Sequence, residues 1–358
     1  MNKMINLAVG DPSGAPHHEL VDAFLKGIKE PEANHYASPK GLASTRFAAA
    51  SYYEERHGVS LDPECLIITH GARPGLQFGL AASGRQGRSC GYFVPAYTYF
   101  PSIIEGAGMR LFPVPLTSAP LTSAALRQQL EKLRGGTLLF NNPHNPTGRI
   151  FCRDEILAVV EVCRELDIKI VSDAVYIDLY ETDRPCSLIE MEPTAIEVIS
   201  ISKPFRACGY RVGAVVGDPA WIKSFTNRYA VMNGVPYAMQ RVAEFAWLHM
   251  PGVEEFRREL VTRRALVVRA LRTVGFAVDT DGGNSSSMFV WARLPEDSPP
   301  AHVVVARCGA FGVQVSDGEA FGAGFGRFIR IALNESEHQL AEAMSRLSFA
   351  MEKIYEAA

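Results

Sequence analysis

Short apolar runs alternate with helix-like stretches between about residues 54 and 217, and this alternation is the strongest constraint on the fold. Strands separated by helices pair in parallel, and the helices then cover the faces of the sheet. We therefore predict an α/β fold with a mainly parallel seven-stranded sheet. The predicted strands are 66–69, 91–94, 111–114, 137–140, 168–172, 198–201 and 214–216.

The pattern changes after Pro236, where longer helical stretches begin. A last helix is predicted after Ser336, which with Gln339 forms a capping-box pattern. A chain of 358 residues usually divides into two domains, so this region is expected to form a smaller α/β unit. Its other predicted elements are helices 239–249 and 253–274, the second rich in arginines that we expect on its solvated faces, and strands 288–292 and 328–331.

Lys203 follows the predicted strand 198–201, in a stretch of small and cationic residues. An amine attacks an aldehyde only when it is deprotonated, and nearby cations or burial favour that form. Arg206 and Arg211 supply cations close by in the sequence. Lys203 is therefore the best candidate for a covalent cofactor anchor. A solvated surface lysine is the alternative interpretation of so short a motif.

Two more predicted strands end in polar residues. The run 141–148 contains two Asn-Pro steps, which disfavour helix and predict a rigid turn, and Asp154 is predicted to cap the helix that follows. Asp173 ends the next strand, where its carboxylate is suited to pair with a protonated pyridine nitrogen. Both segments stand at carboxyl ends of strands, where open α/β sheets bind ligands.

The three segments together resemble the class I and II aminotransferases, which are fold type I enzymes dependent on pyridoxal phosphate (PLP), and the resemblance spans nearly the whole chain. It implies that Lys203 forms the internal aldimine with the cofactor and that Asp173 binds its pyridine nitrogen. It also implies that Tyr176 and Asn145 donate hydrogen bonds to its phenolic oxygen. Lys203, Asp173 and Tyr176 are then the catalytic residues.

The resemblance further implies which residues bind the cofactor's phosphate. Ser200 and Arg211 match the family's phosphate ligands, and Ser202 is a weaker candidate for the same role. Gly71 and Ala72 fit a phosphate loop at a helix start. The next residue of that loop, Arg73, departs from the small, hydroxyl or acidic residue often found there. Reinforcement of phosphate binding and contact with the substrate both remain open for it.

Four more residues take roles from the resemblance. Tyr97 is expected to stack on the cofactor ring, and Tyr36 to reach across a homodimer interface to the neighbouring subunit's phosphate. Arg330 is expected to bind the substrate α-carboxylate, because a guanidinium meets a carboxylate with two parallel hydrogen bonds. Gly10 and Asn145 are expected to contact the substrate as well. The same resemblance divides the chain into a large domain, 33–250, and a small domain, 1–32 with 251–358.

The composition fits an enzyme that acts on small molecules. The chain's formal net charge of −3 gives no indication of nucleic-acid binding. Neither a membrane-spanning run nor the long apolar core of a secretory signal is found, so a cytoplasmic location is expected. The seven cysteines are scattered and form no Cys-x-x-Cys pair. We expect them to be reduced and no metal to be bound.

The leading hypothesis is a PLP-dependent aminotransferase that moves an amino group between an amino acid and a 2-keto acid. The alternative is an enzyme of the same fold that catalyses elimination, replacement, cyclisation or C–C bond formation, which Arg73 and the run 282–287 leave open. A catalytically idle ligand sensor is a further alternative, disfavoured by the retained Lys203, Asp173 and Arg330. A nicotinamide oxidoreductase is disfavoured because the glycines at 322–326 precede a predicted strand.

Overall fold

The computed structural model describes residues 4–278 and 288–356. The run 282–287 lies outside these residues. In the described part, the strands are β1 (Ile5–Asn6), β2 (Leu66–Thr69), β3 (Ser89–Val94), β4 (Arg110–Pro115), β5 (Thr137–Asn141), β6 (Lys169–Asp173), β7 (Ile196–Ser200), β8 (Gly213–Val216), β9 (Ala277–Val278), β10 (Phe289–Arg293), β11 (Val313–Gln314), β12 (Ser316–Asp317) and β13 (Phe328–Ala332).

The α-helices of the same residues begin with α1 (His18–Gly27), which lies before the large sheet. The others are α2 (Ala43–His57), α3 (Ala72–Ala82), α4 (Phe100–Gly106), α5 (Ser123–Leu130), α6 (Arg153–Glu165), α7 (Pro219–Tyr229), α8 (Tyr237–His249), α9 (Val253–Thr273), α10 (Ala301–Ala310) and α11 (Glu337–Tyr355).

The seven strands predicted between residues 66 and 216 form one sheet, in the order β2-β8-β7-β6-β5-β3-β4. β8 runs antiparallel to both of its neighbours, and the other pairs are parallel. The prediction of a mainly parallel seven-stranded sheet is therefore confirmed. The central strands β5, β7 and β8 are buried along their whole length, as expected for a sheet covered on both faces.

Strand direction brings the polar segments to one edge of this sheet. β5, β6 and β7 are parallel, so Asn141, Asp173 and Ser200 end neighbouring strands on the same side. Thr69 at the end of β2 and Ser200 at the end of β7 both pair with Gly213 of the antiparallel β8. The start of α3 therefore joins the same edge, beside the loop that carries Lys203.

The two faces of the sheet bury different helices. Phe140 of β5 packs in the cluster that contains α6 and α8 residues, whereas its neighbour Leu139 packs in the cluster with α3, α4 and α7. This alternation follows from the pleat of a strand, which points successive side chains to opposite faces. Leu20 of α1 also lies in the first cluster, so α1 packs with the large sheet.

The carboxyl-terminal part builds a second core. β12, β13, β10 and β9 form an antiparallel sheet, and α9, α10 and α11 pack with it around Ile331 and Leu347. β1 pairs in parallel with β11, so Ile5 and Leu7 join this second core. Ser336 caps α11 and accepts a hydrogen bond from the backbone N–H of Gln339, which confirms the predicted helix start.

Two local predictions are corrected by the structure. Cys152 rather than Asp154 is the N-cap of α6, and its backbone N–H is bound by the Glu155 carboxylate at 3.0 Å. The arginines of α9 do not all lie on solvated faces, because Arg263 and Arg264 are buried. No helix among the described residues is long and apolar enough to cross a bilayer.

Candidate active site

Lys203 lies in the loop that follows β7, with its side chain partly buried. Its Nζ donates a hydrogen bond to the Gly10 carbonyl at 2.6 Å and lies 3.5 Å from Cys208 Sγ. The thiol in turn donates to the Ser202 carbonyl at 3.1 Å. Gly10 has no room for a side chain, since a Cβ there would lie 2.6 Å from the Phe289 ring. The N-terminal segment can therefore approach the lysine with its bare backbone.

A cavity of about 360 Å³ opens beside this amine. Eleven of the predicted site residues line it: Gly10, Ala72, Arg73, Tyr97, Asn145, Asp173, Tyr176, Ser200, Ser202, Lys203 and Arg211. Val9, Asp11, Leu76, Val175 and Cys208 complete the lining. Gly71 lies next to Arg211, which lines the cavity. Arg330 is not itself a lining residue but hydrogen-bonds to Asn145, which is. Tyr36 is 93% exposed and does not line the cavity in this chain.

Asp173 is a buried carboxyl at the end of β6. Burial raises the pKa of Asp173 to about 7, against the weaker opposing effects of the Val175 backbone N–H and Lys203. The Asn141 side chain holds the position, because its Nδ2 donates to the Asp173 carbonyl at 2.9 Å and its Oδ1 accepts from the Asn145 backbone N–H at 2.8 Å. A carboxylate in this setting is stabilised by any cationic ligand group placed beside it.

An anion cradle lies at the start of α3. Gly71 precedes the helix with a φ of 80°, and a Cβ there would lie 2.6 Å from Arg211 Nη2. Arg211 also has a positive φ, 57°, and donates to the Cys208 carbonyl at 2.9 Å. Ser200 and Ser202 join their hydroxyls at 2.9 Å on the same cavity wall. A helix N-terminus, a guanidinium and two hydroxyls form a donor set suited to a phosphate.

Arg73 points its guanidinium toward two tyrosines. Its Nε donates to the Tyr97 hydroxyl at 3.0 Å, and its Cζ lies 4.1 Å from the centre of the Tyr99 ring. Burial raises the pKa of Tyr97, partly offset by Arg73. Arg73 is exposed, and both it and Tyr97 line the cavity.

Tyr176 is a buried phenol on the cavity wall. Burial raises its pKa far above the ordinary value, and the neighbouring Asp173 adds to the rise. Its ring meets Phe289 edge-on at 5.6 Å, which fixes its orientation. Tyr176 therefore stays a neutral hydroxyl that can donate a hydrogen bond.

Arg330 projects from β13 and is buried. Its Nη1 donates to Asn145 Oδ1 at 2.9 Å and its Nη2 to the Ala8 carbonyl. The guanidinium carbon lies 4.3 Å from the Phe289 ring centre and 4.6 Å from that of Phe321. Burial lowers the pKa of Arg330 to about 10, which leaves the group cationic at neutral pH. A desolvated guanidinium held in this way is suited to a carboxylate.

Several contributing residues escaped the sequence interpretation. Asn141 orients both Asp173 and Asn145, and it stands in the Asn-Pro run that was recognised, so its position at the strand end was an available signal. Phe289 and Phe321 flank Arg330 from other elements, and no local pattern indicates that. Arg206 was expected to supply a cation to Lys203, but it forms an ion pair with Glu259 instead.

Comparison with known proteins agrees with this fold. The family model for aminotransferase class I and II matches residues 2–347, so the chain belongs to the class I and II aminotransferases. It is therefore a transferase of a family that uses PLP.

Relatives of known name point the same way. An LL-diaminopimelate aminotransferase of Oleidesulfovibrio alaskensis is 27% identical over 359 residues, which cover 96% of this chain and 91% of that protein. One from Nitratidesulfovibrio vulgaris is 28% identical over 361 residues, with the same coverage. The solved aromatic aminotransferase of Pyrococcus horikoshii superposes with a TM-score of 0.91 at 23% identity, over 98% of this chain and 96% of that one. These comparisons support aminotransferase function and the fold type I architecture.

Proposed function

We propose that this aminotransferase moves an amino group between an amino acid and a 2-keto acid, with Lys203 as the covalent anchor of PLP. The observation that carries the proposal is the grouping of Lys203, Asp173 and the Arg330–Asn145 pair around one cavity. An amine, a buried carboxyl and a buried guanidinium match the three polar groups that such a reaction must address. These are the cofactor aldehyde, its ring nitrogen and the substrate carboxylate.

The residues present fit PLP. Asp173 would bind the protonated ring nitrogen, because burial disfavours its carboxylate form unless a cation lies beside it. The anion cradle would hold the phosphate through Gly71, Ala72, Ser200, Ser202 and Arg211, with Arg73 at its rim. Tyr97 would cover the ring, and Asn145 and Tyr176 would donate to the phenolic oxygen. Bound PLP supplies an electron sink for the charge that develops at the substrate Cα.

The chain's own residues then orient the substrate and move protons. Arg330 binds the α-carboxylate with two donors, and its burial excludes the water that would otherwise compete. With PLP bound, the Lys203 amine would serve as the base that moves the proton from the substrate Cα. The Lys203 Nζ donates to the Gly10 carbonyl, which gives the free amine a defined position.

The oligomer and the location are part of the same proposal. Tyr36, being almost fully exposed, is proposed to complete the phosphate site of a second copy in a homodimer. The division into a large unit, 33–250, and a small unit, 1–32 with 251–358, is supported by the separate carboxyl-terminal core, which includes Ile5 and Leu7. Within the segment 1–32, Leu20 of α1 packs with residues of the larger core. A cytoplasmic location completes the proposal, and cell fractionation tests it.

The test is a scan of PLP-loaded protein against a panel of amino acids that includes LL-diaminopimelate, with mass spectrometry of the products. The expected result is the keto acid of one donor, together with an amino acid formed from an added keto-acid acceptor. Borohydride reduction followed by peptide mapping should place the cofactor on Lys203. A product that has lost a side-chain substituent, with no amino group passed to the acceptor, would favour the non-transaminating alternative. A tag on a different lysine would overturn the assignment.

A further inference from the structure

Arg206 follows Lys203 by three residues and occupies a costly backbone conformation. Its φ is 52°, in the left-handed region that a residue with a Cβ rarely adopts. The guanidinium stacks on Phe256, 4.3 Å from its ring centre, and donates to the Glu259 carboxylate. Phe256 and Glu259 both belong to α9. The turn after the lysine is therefore held in place from another element of the fold.

The same carboxylate binds a second arginine. Glu259 Oε2 accepts a hydrogen bond from Arg263 Nη2 at 2.5 Å, one helical turn further along α9. Arg263 is buried, and its Nη1 donates to the Leu333 carbonyl at 3.1 Å. Leu333 directly follows β13, the strand that carries Arg330. Arg206, Glu259 and Arg263 thus form a chain of polar contacts between the lysine loop and the arginine strand.

The charges make Glu259 the necessary link. Two guanidiniums share one carboxylate, and loss of its negative charge would leave two cations facing each other. The side chains of Arg206, Glu259 and Arg263 are 22%, 28% and 7% exposed, so solvent screens this interaction only in part. No other acidic residue of the described structure forms an ion pair with Arg206.

We propose that Glu259 is a positioning residue that couples the binding of the substrate carboxylate at Arg330 to the position of the Lys203 amine. This rests on the roles of Lys203 and Arg330 in the proposed function. When a carboxylate binds Arg330, the backbone at Leu333, directly after β13, becomes fixed in position. The contacts of Arg263, Glu259 and Arg206 transmit that position to the turn after Lys203. Proton transfer depends on such placement, since an error of about 1 Å can cost roughly a hundred-fold in rate.

The test compares Glu259→Gln with Glu255→Gln, an exposed position on the same helix. Each PLP-loaded protein reacts in a single turnover with an amino acid donor, and separately with the amine that lacks its carboxylate. Glu259→Gln is expected to slow the amino acid roughly ten-fold while leaving the rate with the amine unchanged. Glu255→Gln should change neither rate. A merely structural defect in the lysine loop would slow both donors alike.

A second variant, Arg206→Ala, removes the Arg206 side chain that Glu259 binds beside the lysine loop. It provides the test if Glu259→Gln folds poorly. The double variant is expected to be no slower than the slower single variant, because both changes break one link. Equal loss with both donors, loss with the amine alone, or no loss at all would overturn the coupling. If the unaltered protein forms no keto acid and Lys203 takes no borohydride tag, the proposed function itself fails, and the variants are not needed to show it.

Discussion

Arg330 donates a hydrogen bond from Nη1 to Asn145 Oδ1 at 2.9 Å, which joins residues 185 positions apart in the chain. Asn145 lies in the turn after β5 of the large sheet, and Arg330 lies on β13 of the carboxyl-terminal sheet. The bond uses the amide oxygen and leaves the amide nitrogen free to donate into the cavity. The proposed carboxylate site and one proposed donor to the cofactor are therefore a single unit spanning both sheets.

Arg330→Lys is expected to reduce kcat/KM for an amino acid donor roughly a hundred-fold, the scale on which altering one partner of a buried charge pair acts. Lysine keeps the charge but loses the planar fork that meets a carboxylate with two donors. Initial rates across a range of donor concentrations measure the effect. The matching amine without a carboxylate is the control, and its rate should stay unchanged. An equal loss with both donors would show that Arg330 does not recognise the carboxylate.

Asp173→Asn should alter how the stability of the cofactor-free protein depends on pH. Burial raises the pKa of Asp173 to about 7 from an ordinary 3.8, so the folded state holds its proton more tightly than the unfolded state. The resulting stability is fully present below about pH 4 and is lost as the pH rises through about 7, by roughly 4 kcal/mol at most. Asparagine does not ionise and avoids this loss. The variant's Tm, relative to the unaltered protein, should therefore rise between pH 5 and pH 8.

At pH 8, saturation with PLP is expected to raise the Tm of the unaltered protein more than that of Asp173→Asn, so that the unaltered protein becomes the more stable of the two. A protonated ring nitrogen stabilises the Asp173 carboxylate, whereas it gains little from an amide. Thermal unfolding of both proteins at pH 8, with and without PLP, gives four curves, and the cofactor-free proteins are also measured at pH 5. If the cofactor-free Tm difference is the same at both pH values, the carboxyl of Asp173 titrates normally and the proposed pairing loses its basis.

Gly71→Ala is expected to weaken PLP binding roughly ten-fold, because its Cβ would lie 2.6 Å from Arg211 Nη2 and displace a phosphate ligand. Gly84→Ala is a matched control. Gly84 also has a positive φ, 73°, but a Cβ there meets no atom within 4 Å. Both variants place a Cβ at a positive φ, and Gly71→Ala adds the strain of a ψ near −178° and the displacement of Arg211. Equilibrium titration with PLP measures the affinities, and equal weakening in the two variants would contradict the cradle.

The large sheet was predictable because each of its strands is a local apolar run. The observed bounds differ from the predicted ones by at most two residues, as at Ile196–Ser200 against 198–201. The grouping of Lys203, Asp173 and Asn145 was predictable because these residues lie at or just after strand ends. Parallel pairing brings those strand ends to one edge of the sheet.

Other features depend on partners that are distant in sequence. Arg264 of α9 is buried because it donates to the Phe289 carbonyl, 25 residues away, at 3.0 Å. Phe321 approaches Arg330 from a turn whose residues show no periodic pattern. Arginine on a helix usually indicates solvent exposure, so composition alone misplaced the side chain of Arg264. The position of Arg264 follows from the packing of α9 against β10.

Tyr36 provides a test of the homodimer, because its role requires a second copy. Its side chain is 93% exposed and does not line the cavity of its own chain. Tyr36→Ala is expected to bind PLP roughly ten- to a hundred-fold more weakly, the scale for one hydrogen bond to a charged group. Sedimentation of the unaltered protein should give the mass of two chains, and a monomer would contradict the proposal directly.

Hybrid dimers separate a role across the interface from one within the chain. Co-expression of Lys203→Ala with Tyr36→Ala, carrying different tags, yields heterodimers in which Lys203 is intact in one chain and Tyr36 in the other. If Tyr36 acts across the interface, the site with Lys203 receives an intact tyrosine from its neighbour, and its PLP affinity should equal that of the unaltered protein. If Tyr36 acts within its own chain, that same site lacks the tyrosine, and its affinity should match the Tyr36→Ala homodimer. Because only the site with Lys203 can be tagged by borohydride, the two affinities can be read from a single titration.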